Sequence, residues 1–162
     1  MITGLESSIE HYELLYGLLR CAKPDVVIET GTAGGIGSHK IAAALDANDK
    51  GHLWTVDNRP CQIEPHDRIT VVEQDSLAFV DEFDKPVDFA FVDCAFSSQR
   101  QDVVDALIGK GAKTVVLDDA VAYGGGGYDL NFIVNGAGIA VWQTGVSAPR
   151  LDHEPDWRRI DR

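Results

Sequence analysis

The chain has 162 residues but only three cysteines, one methionine and few basic side chains. Cys21, Cys61 and Cys94 are odd in number, widely spaced and set in apolar or loop contexts. That pattern argues against a disulfide framework or a zinc site and for reduced thiols. No stretch is apolar for long enough to span a bilayer. The opening residues, Met1 to Glu6, lack the basic start and apolar core of a secretory signal, so a cytoplasmic protein is expected. Positive charge is scarce: Lys+Arg number 14 against 26 for Asp+Glu, a net charge of −12. Such a surface repels phosphate backbones, which argues against nucleic acid as a partner. The one cationic cluster, Arg158-Arg159 with Arg162, is interrupted by Asp161. What remains is an ordinary globular composition, 44% hydrophobic and 25% charged, long enough for one domain with a real core. No internal repeat or interdomain linker stands out.

Periodicity divides the chain into alternating strands and helices. Thr3-x-x-Glu6 reads as a capping box for a helix whose apolar residues Leu5, Ile9, Tyr12, Leu15, Tyr16 and Leu19 recur at helical spacing, with Lys23-Pro24 ending it. Strands are expected over 25–28, 52–56, 69–72, 87–92 and 113–117, and helices over 36–47, 76–83 and 99–110. Beyond 119 the pattern weakens. Gly124 to Gly127 form a loop, 130–134 reads as one or two helical turns, 139–143 as a last strand, and the tail is polar and interrupted by proline. The expected organisation is an N-terminal helix (1–24), a cofactor-binding core (25–119), and a loop, last strand and tail (120–162).

Strictly alternating elements predict a Rossmann-like, doubly wound α/β fold: a mostly parallel sheet with helices on both faces. Such sheets bind ligands outside the C-terminal ends of their strands. Glu29, Asp57, Asp75, Asp93, Asp118 and Asp119 all fall at those ends and are expected to converge on one crevice. The stretch Glu29-Thr30-Gly31-Thr32-Ala33-Gly34-Gly35-Ile36-Gly37 lies between the first strand and the next helix. Its glycines allow a sharp turn and close backbone approach, and the following helix N-terminus presents free N–H groups. A cradle for a nucleotide-like cofactor follows.

In their order, these signals resemble the class I S-adenosylmethionine-dependent methyltransferases, and most closely their small-molecule O-methyltransferase-like branch. The carriers are Val26-Val27-Ile28-Glu29-Thr30-Gly31-Thr32-Ala33-Gly34-Gly35, Thr55-Val56-Asp57-Asn58, Glu73-Gln74-Asp75-Ser76, Phe89-Ala90-Phe91-Val92-Asp93 and Val115-Val116-Leu117-Asp118-Asp119. The resemblance implies that Glu29 and Gly31, with Thr32, Ala33 and Gly35, line the methionine end of S-adenosylmethionine, Glu29 favouring its ammonium group. It implies that Asp57, beside Asn58, accepts from the ribose hydroxyls, and that Asp75 and Ser76 sit at the adenine rim. Asp93 would lie beneath the sulfonium and face a small-molecule acceptor, with Asp119 also at the catalytic end. The plainer readings are that Glu29 caps the next helix and that Asp75-Ser76 is an N-cap.

The resemblance also raises a magnesium ion, because metal-dependent relatives hold one with acids at the fourth and fifth strand ends. Asp93, Asp118 and Asp119 match those positions by type, against a stronger plain reading of strand-end acids capping a turn. Two departures bear on this. Cys94-Ala95-Phe96 follows Asp93 where the family often has a second acid and a base, and only one strand is read beyond the fifth. The expected fold is therefore shortened at the C-terminus, and self-association is the expected source of a missing wall. Gly124 to Gly127, between Tyr123 and Tyr128, is a candidate lid or a plain loop. His39 is read as a surface residue near the pocket mouth, and His11, His52, His66 and His153 show no ligand spacing.

Two other readings use the same residues. Thr30-Gly31-x-x-x-Gly35-Ile36-Gly37 also matches the NAD(P) turn of short-chain dehydrogenases. Those enzymes, however, need a Tyr-x-x-x-Lys pair, and no lysine stands four residues after Tyr12, Tyr16, Tyr123 or Tyr128. The other alternative is a non-catalytic module that binds S-adenosylmethionine and transfers nothing.

Overall fold

A computed structural model describes residues 9–94, 98–118, 130–134 and 137–143. Its elements are α1 (Ile9–Ala22), β1 (Val26–Thr30), α2 (Ile36–Asn48), β2 (His52–Asp57), β3 (Ile69–Glu73), α3 (Ser76–Glu82), β4 (Phe89–Val92), α4 (Ser98–Gly109), β5 (Thr114–Leu117), β6 (Leu130–Val134) and β7 (Ala137–Gln143). The capping box at Thr3 and Glu6, Ala95 and Phe96, Asp119, the Tyr123 to Tyr128 segment and the basic cluster at Arg158 all lie outside the described residues.

Helix α1 forms because His11, Leu15 and Leu19 recur every fourth position, and all three are buried. It ends where Lys23 turns left-handed (φ 47°) before Pro24. Helix α3 starts on Asp75, whose side chain accepts from the Ala78 N–H.

The sheet order is β3-β2-β1-β4-β5-β7-β6. Strands β1 to β5 pair in parallel, and β7 runs antiparallel to both β5 and β6. The alternation of side chains along each strand divides the core in two. Val27, Leu53, Phe89, Phe91 and Val116 pack with α1 and α2, whereas Ile28, Val56, Ala90, Val92, Val115 and Leu117 pack with α3 and α4. The chain order reverses between β1 and β4, which places the ligand crevice outside the C-terminal ends of those two strands.

Two expectations need correction. Residues 130–134 form an edge strand rather than helical turns, in register with β7 from Leu130↔Val141 to Val134↔Ala137. A five-residue, mostly apolar run cannot be told from a helical turn by periodicity, and here the ladder to β7 decides. With that strand added, the sheet has seven strands and is not shortened at its C-terminal side. Among the described residues no helix is long and apolar enough to cross a membrane.

Candidate active site

The glycine turn lies at the point where the strand order reverses. The Gly31 N–H donates to the Val56 carbonyl at 2.8 Å, and the Asp93 N–H donates to the Thr30 carbonyl at 2.8 Å. Gly31 has φ +94°, and a Cβ added there would overlap the Asp93 carbonyl oxygen. The loops leaving β1 and β4 are therefore in backbone contact, and only glycine fits between them. The turn closes through the Gly35 N–H on the Thr32 carbonyl at 2.8 Å. Gly37, the second residue of α2, has to lack a side chain for another reason: a Cβ there would meet the Glu29 carboxylate and the Tyr12 ring. Tyr12, Glu29, Thr32, Ile36 and Asp93 line a narrow cleft over this turn, together with Gly31, Ala33 and Gly35.

Glu29 is the buried acid of the cleft, 1% exposed. It lies on the α2 side of β1, accepting from the Thr55 hydroxyl at 2.7 Å and from the Ser38 hydroxyl. Thr32 continues the network through its hydroxyl, 2.7 Å from that of Thr55. Burial pushes the Glu29 carboxyl up to about 7, and the two hydroxyl donors offset only part of that rise. The acid therefore sits near its midpoint at neutral pH, and a cation placed against it favours the charged form.

Asp57 ends β2 and ties it to the turn. One of its oxygens accepts from the Ala33 N–H at 3.2 Å and the other from the Arg59 N–H at 3.1 Å. A carboxylate oxygen has two acceptor sites, so each can take a second donor. Asn58 follows it, exposed. Asp75 is the N-cap of α3, one oxygen accepting from the Ala78 N–H at 3.0 Å, and Ser76 is the first residue of that helix. The plain reading of Asp75-Ser76 holds, and neither residue lines the narrow cleft at the turn.

Two buried side chains to which the sequence alone assigned no role meet the acids at the ends of β4 and β5. Arg100, buried in the first turn of α4, donates to the Asp93 carboxylate at 3.0 Å, to the Asp118 carbonyl at 3.0 Å and to the Cys94 carbonyl. His11, on the buried face of α1, lies with Nδ1 2.9 Å from the Asp118 carboxylate, with the two side chains 1% and 2% exposed. A signal existed for each. A cation in the first turn of a helix opposes the dipole and so asks for a specific partner. His11 lies four and eight residues before two buried leucines.

These contacts decide how the strand-end acids fit a divalent metal. Asp93 faces Arg100, Asp118 faces His11, and Asp119 lies outside the described residues. Among the described residues no three His, Cys, Asp or Glu side chains converge on a common point. Of the donor set that the resemblance implies for magnesium, the two described members, Asp93 and Asp118, face Arg100 and His11 and do not face a common point. His66 and Arg68 pair with Asp46 on the periphery, at 3.1 and 2.8 Å. The His39 ring stands 6.4 Å from that of His66. Cys21, Cys61 and Cys94 are free thiols.

A family model described as a methyltransferase domain matches residues 28–120. No curated protein matches the chain by sequence. Among solved structures, the chain is similar to the O-methyltransferase TomG from Streptomyces achromogenes, which is involved in tomaymycin synthesis and was solved in complex with SAM. The identity is 18%, the match covers 89% of this chain and 84% of that one, and the TM-score is 0.68. It is also similar to the SAH-bound methyltransferase PaMTH1 of Podospora anserina, at 13% identity, 86% and 80% coverage and TM-score 0.67. A methyltransferase from Geobacter sulfurreducens matches at 16% identity, 86% and 80% coverage and TM-score 0.62. At such identities these neighbours establish a shared fold.

Proposed function

The chain belongs to the methyltransferase-domain family, and from that premise we propose that it transfers the methyl group of S-adenosylmethionine to a hydroxyl of a small molecule. One observation carries the reading. The turn after β1 is built so that Gly31 and Gly37 admit no side chain, with a buried acid on one side and a strand-end carboxylate on the other. Backbone bared in this way at the reversal of strand order suits close approach by a ligand, and the two acids suit one with an ammonium group and a diol.

Each residue has a role in this reading. Glu29 takes the ammonium group at the closed end of the cleft and is held as a carboxylate by it. Gly31, Thr32, Ala33 and Gly35 present the turn's backbone. Asp57, fixed by the Ala33 and Arg59 amides, uses its second acceptor sites for the ribose hydroxyls, with Asn58 beside it. Asp75 and Ser76 stand at the adenine rim. The bound cofactor supplies a methyl group already activated by a sulfonium, so the protein has mainly to align an acceptor. Asp93 does that part: it lines the cleft, accepts the hydrogen bond of the acceptor hydroxyl and aims its oxygen. Asp119 is assigned to the same acceptor end.

Calorimetric titration with S-adenosylhomocysteine beside NADH tests the reading. Micromolar binding of S-adenosylhomocysteine with no heat from NADH is expected. NADH binding alone would turn residues 30–37 into a dinucleotide turn, and binding of neither would remove the cradle. Radiolabelled methyl transfer to a panel of hydroxylated aromatic compounds then separates an enzyme from a binding module.

A further inference from the structure

Arg100 sits in a ring of oxygens. Its Nε donates to the Cys94 carbonyl and one terminal nitrogen to the Asp118 carbonyl at 3.0 Å. The other terminal nitrogen reaches the Asp93 carboxylate at 3.0 Å and the Asp93 carbonyl at 3.4 Å. Three main-chain carbonyls and one carboxylate, all from the ends of β4 and β5, thus surround a side chain that is 7% exposed. Hard oxygen donors gathered in this way are the surroundings that magnesium, manganese or calcium takes. A guanidinium suits them as well: it is always charged, and its five donors spread in a plane wide enough to serve both strand ends at once. The Asp118 carboxylate, which could have completed a metal's coordination, is paired instead with His11. Arg100 also occupies the first helical turn of α4, where the dipole disfavours a cation. The oxygens have to offset that cost as well as the loss of hydration.

We propose that Arg100 is the resident cation of the acceptor end. It fills the oxygen cage between β4 and β5, positions Asp93 against the cleft, and leaves this end of the site without a divalent metal. The inference rests on the methyltransferase reading for the meaning of "acceptor end", but not for the occupancy of the cage. It makes Arg100 a positioning residue, because it acts through Asp93.

Manganese titration of the full chain, with free Mn2+ followed by electron paramagnetic resonance, tests the proposal. The wild-type protein is expected to show no one-equivalent site that Asp93→Asn removes; weak binding that survives Asp93→Asn belongs to the acidic surface and supports the proposal. Arg100→Ala empties the cage. It is expected to gain one Mn2+ site at least about tenfold tighter than any in the wild type, by virtue of the hard oxygens left behind. Adding Asp93→Asn to that variant should abolish the gain, an effect that a merely structural arginine would not produce. A one-equivalent wild-type site lost in Asp93→Asn overturns the proposal, as does a folded Arg100→Ala that gains none. Should Arg100→Ala fail to fold, the wild type and Asp93→Asn still decide. S-adenosylhomocysteine titrated into the same metal-free wild-type sample keeps the two claims apart. Its failure to bind removes the methyltransferase reading, whereas a manganese site at Asp93 removes only the resident cation.

Discussion

At the β1–β2 end the cleft is made of backbone: a glycine turn, a helix start and two acids held by amides and hydroxyls close by in the fold. At the β4–β5 end each strand-end aspartate is met by a long side chain from elsewhere, Asp93 by Arg100 from α4 and Asp118 by His11 from α1. The first construction leaves polar groups with capacity for a ligand, and the second engages its acids with side chains of the protein itself. One end thus suits the charged cofactor of the proposed function, and the other holds its strand-end acids in fixed positions.

The sharpest way to break this contrast is His11→Leu. Removing the imidazole takes a 2.9 Å contact from a buried carboxylate, a loss of about 3–5 kcal/mol. Urea unfolding should show that loss, while S-adenosylhomocysteine affinity in the folded protein stays within about threefold, the pair lying outside the cofactor cradle. A large loss of affinity with little loss of stability would mean that His11 serves the cofactor rather than the acceptor end.

Glu29→Gln probes the opposite end. The folded protein binds the Glu29 proton more tightly than the unfolded chain does, because burial raises its carboxyl to about 7 from an ordinary 4.5. Stability from this group is therefore full below about pH 4.5 and is lost as pH rises toward 7. The variant should match the wild type at pH 4 and exceed it by roughly 3 kcal/mol at pH 8, while binding S-adenosylhomocysteine less well. Equal differences at both pH values would mean that the acid is not buried in a protonated form.

Smaller effects are expected further out. Asp57→Ala should weaken S-adenosylhomocysteine binding by about 1–3 kcal/mol, since it leaves ligand hydroxyls unpaired. Unchanged affinity removes the ribose role. Asp75→Ala should cost about 1 kcal/mol of stability through the lost cap. If affinity then stays within about threefold, Asp75 is a cap alone and leaves the adenine rim.

The two ends also differ in how far they can be read from sequence. Glu29 to Gly37 and Asp57 were legible because a strand, a turn and a helix start are written in consecutive residues. The alternation that sorts Val27 from Ile28 and Phe89 from Ala90 was legible for the same reason. His11–Asp118 and Arg100–Asp93 were not, since nothing local states which acid a buried histidine or arginine will meet once the sheet has assembled. The acids had been grouped by position alone, which left out the arginine and the histidine that Asp93 and Asp118 meet. Strand β6 was missed on different grounds: Leu130 to Val134 is too short to display a period, and its identity depends on β7.

Gly35 carries a further consequence. It opens α2 in a left-handed conformation (φ 81°), with no side chain capping the helix. The first amides of a helix have no partners within it, so the first turn of α2 is held more weakly than the turns behind it. A molecule lying against the glycine turn would complete that helix. Occupancy of the cleft should thus be legible as slowed hydrogen exchange at Ile36, Gly37 and Ser38, a local record of binding that needs no turnover and no knowledge of the acceptor.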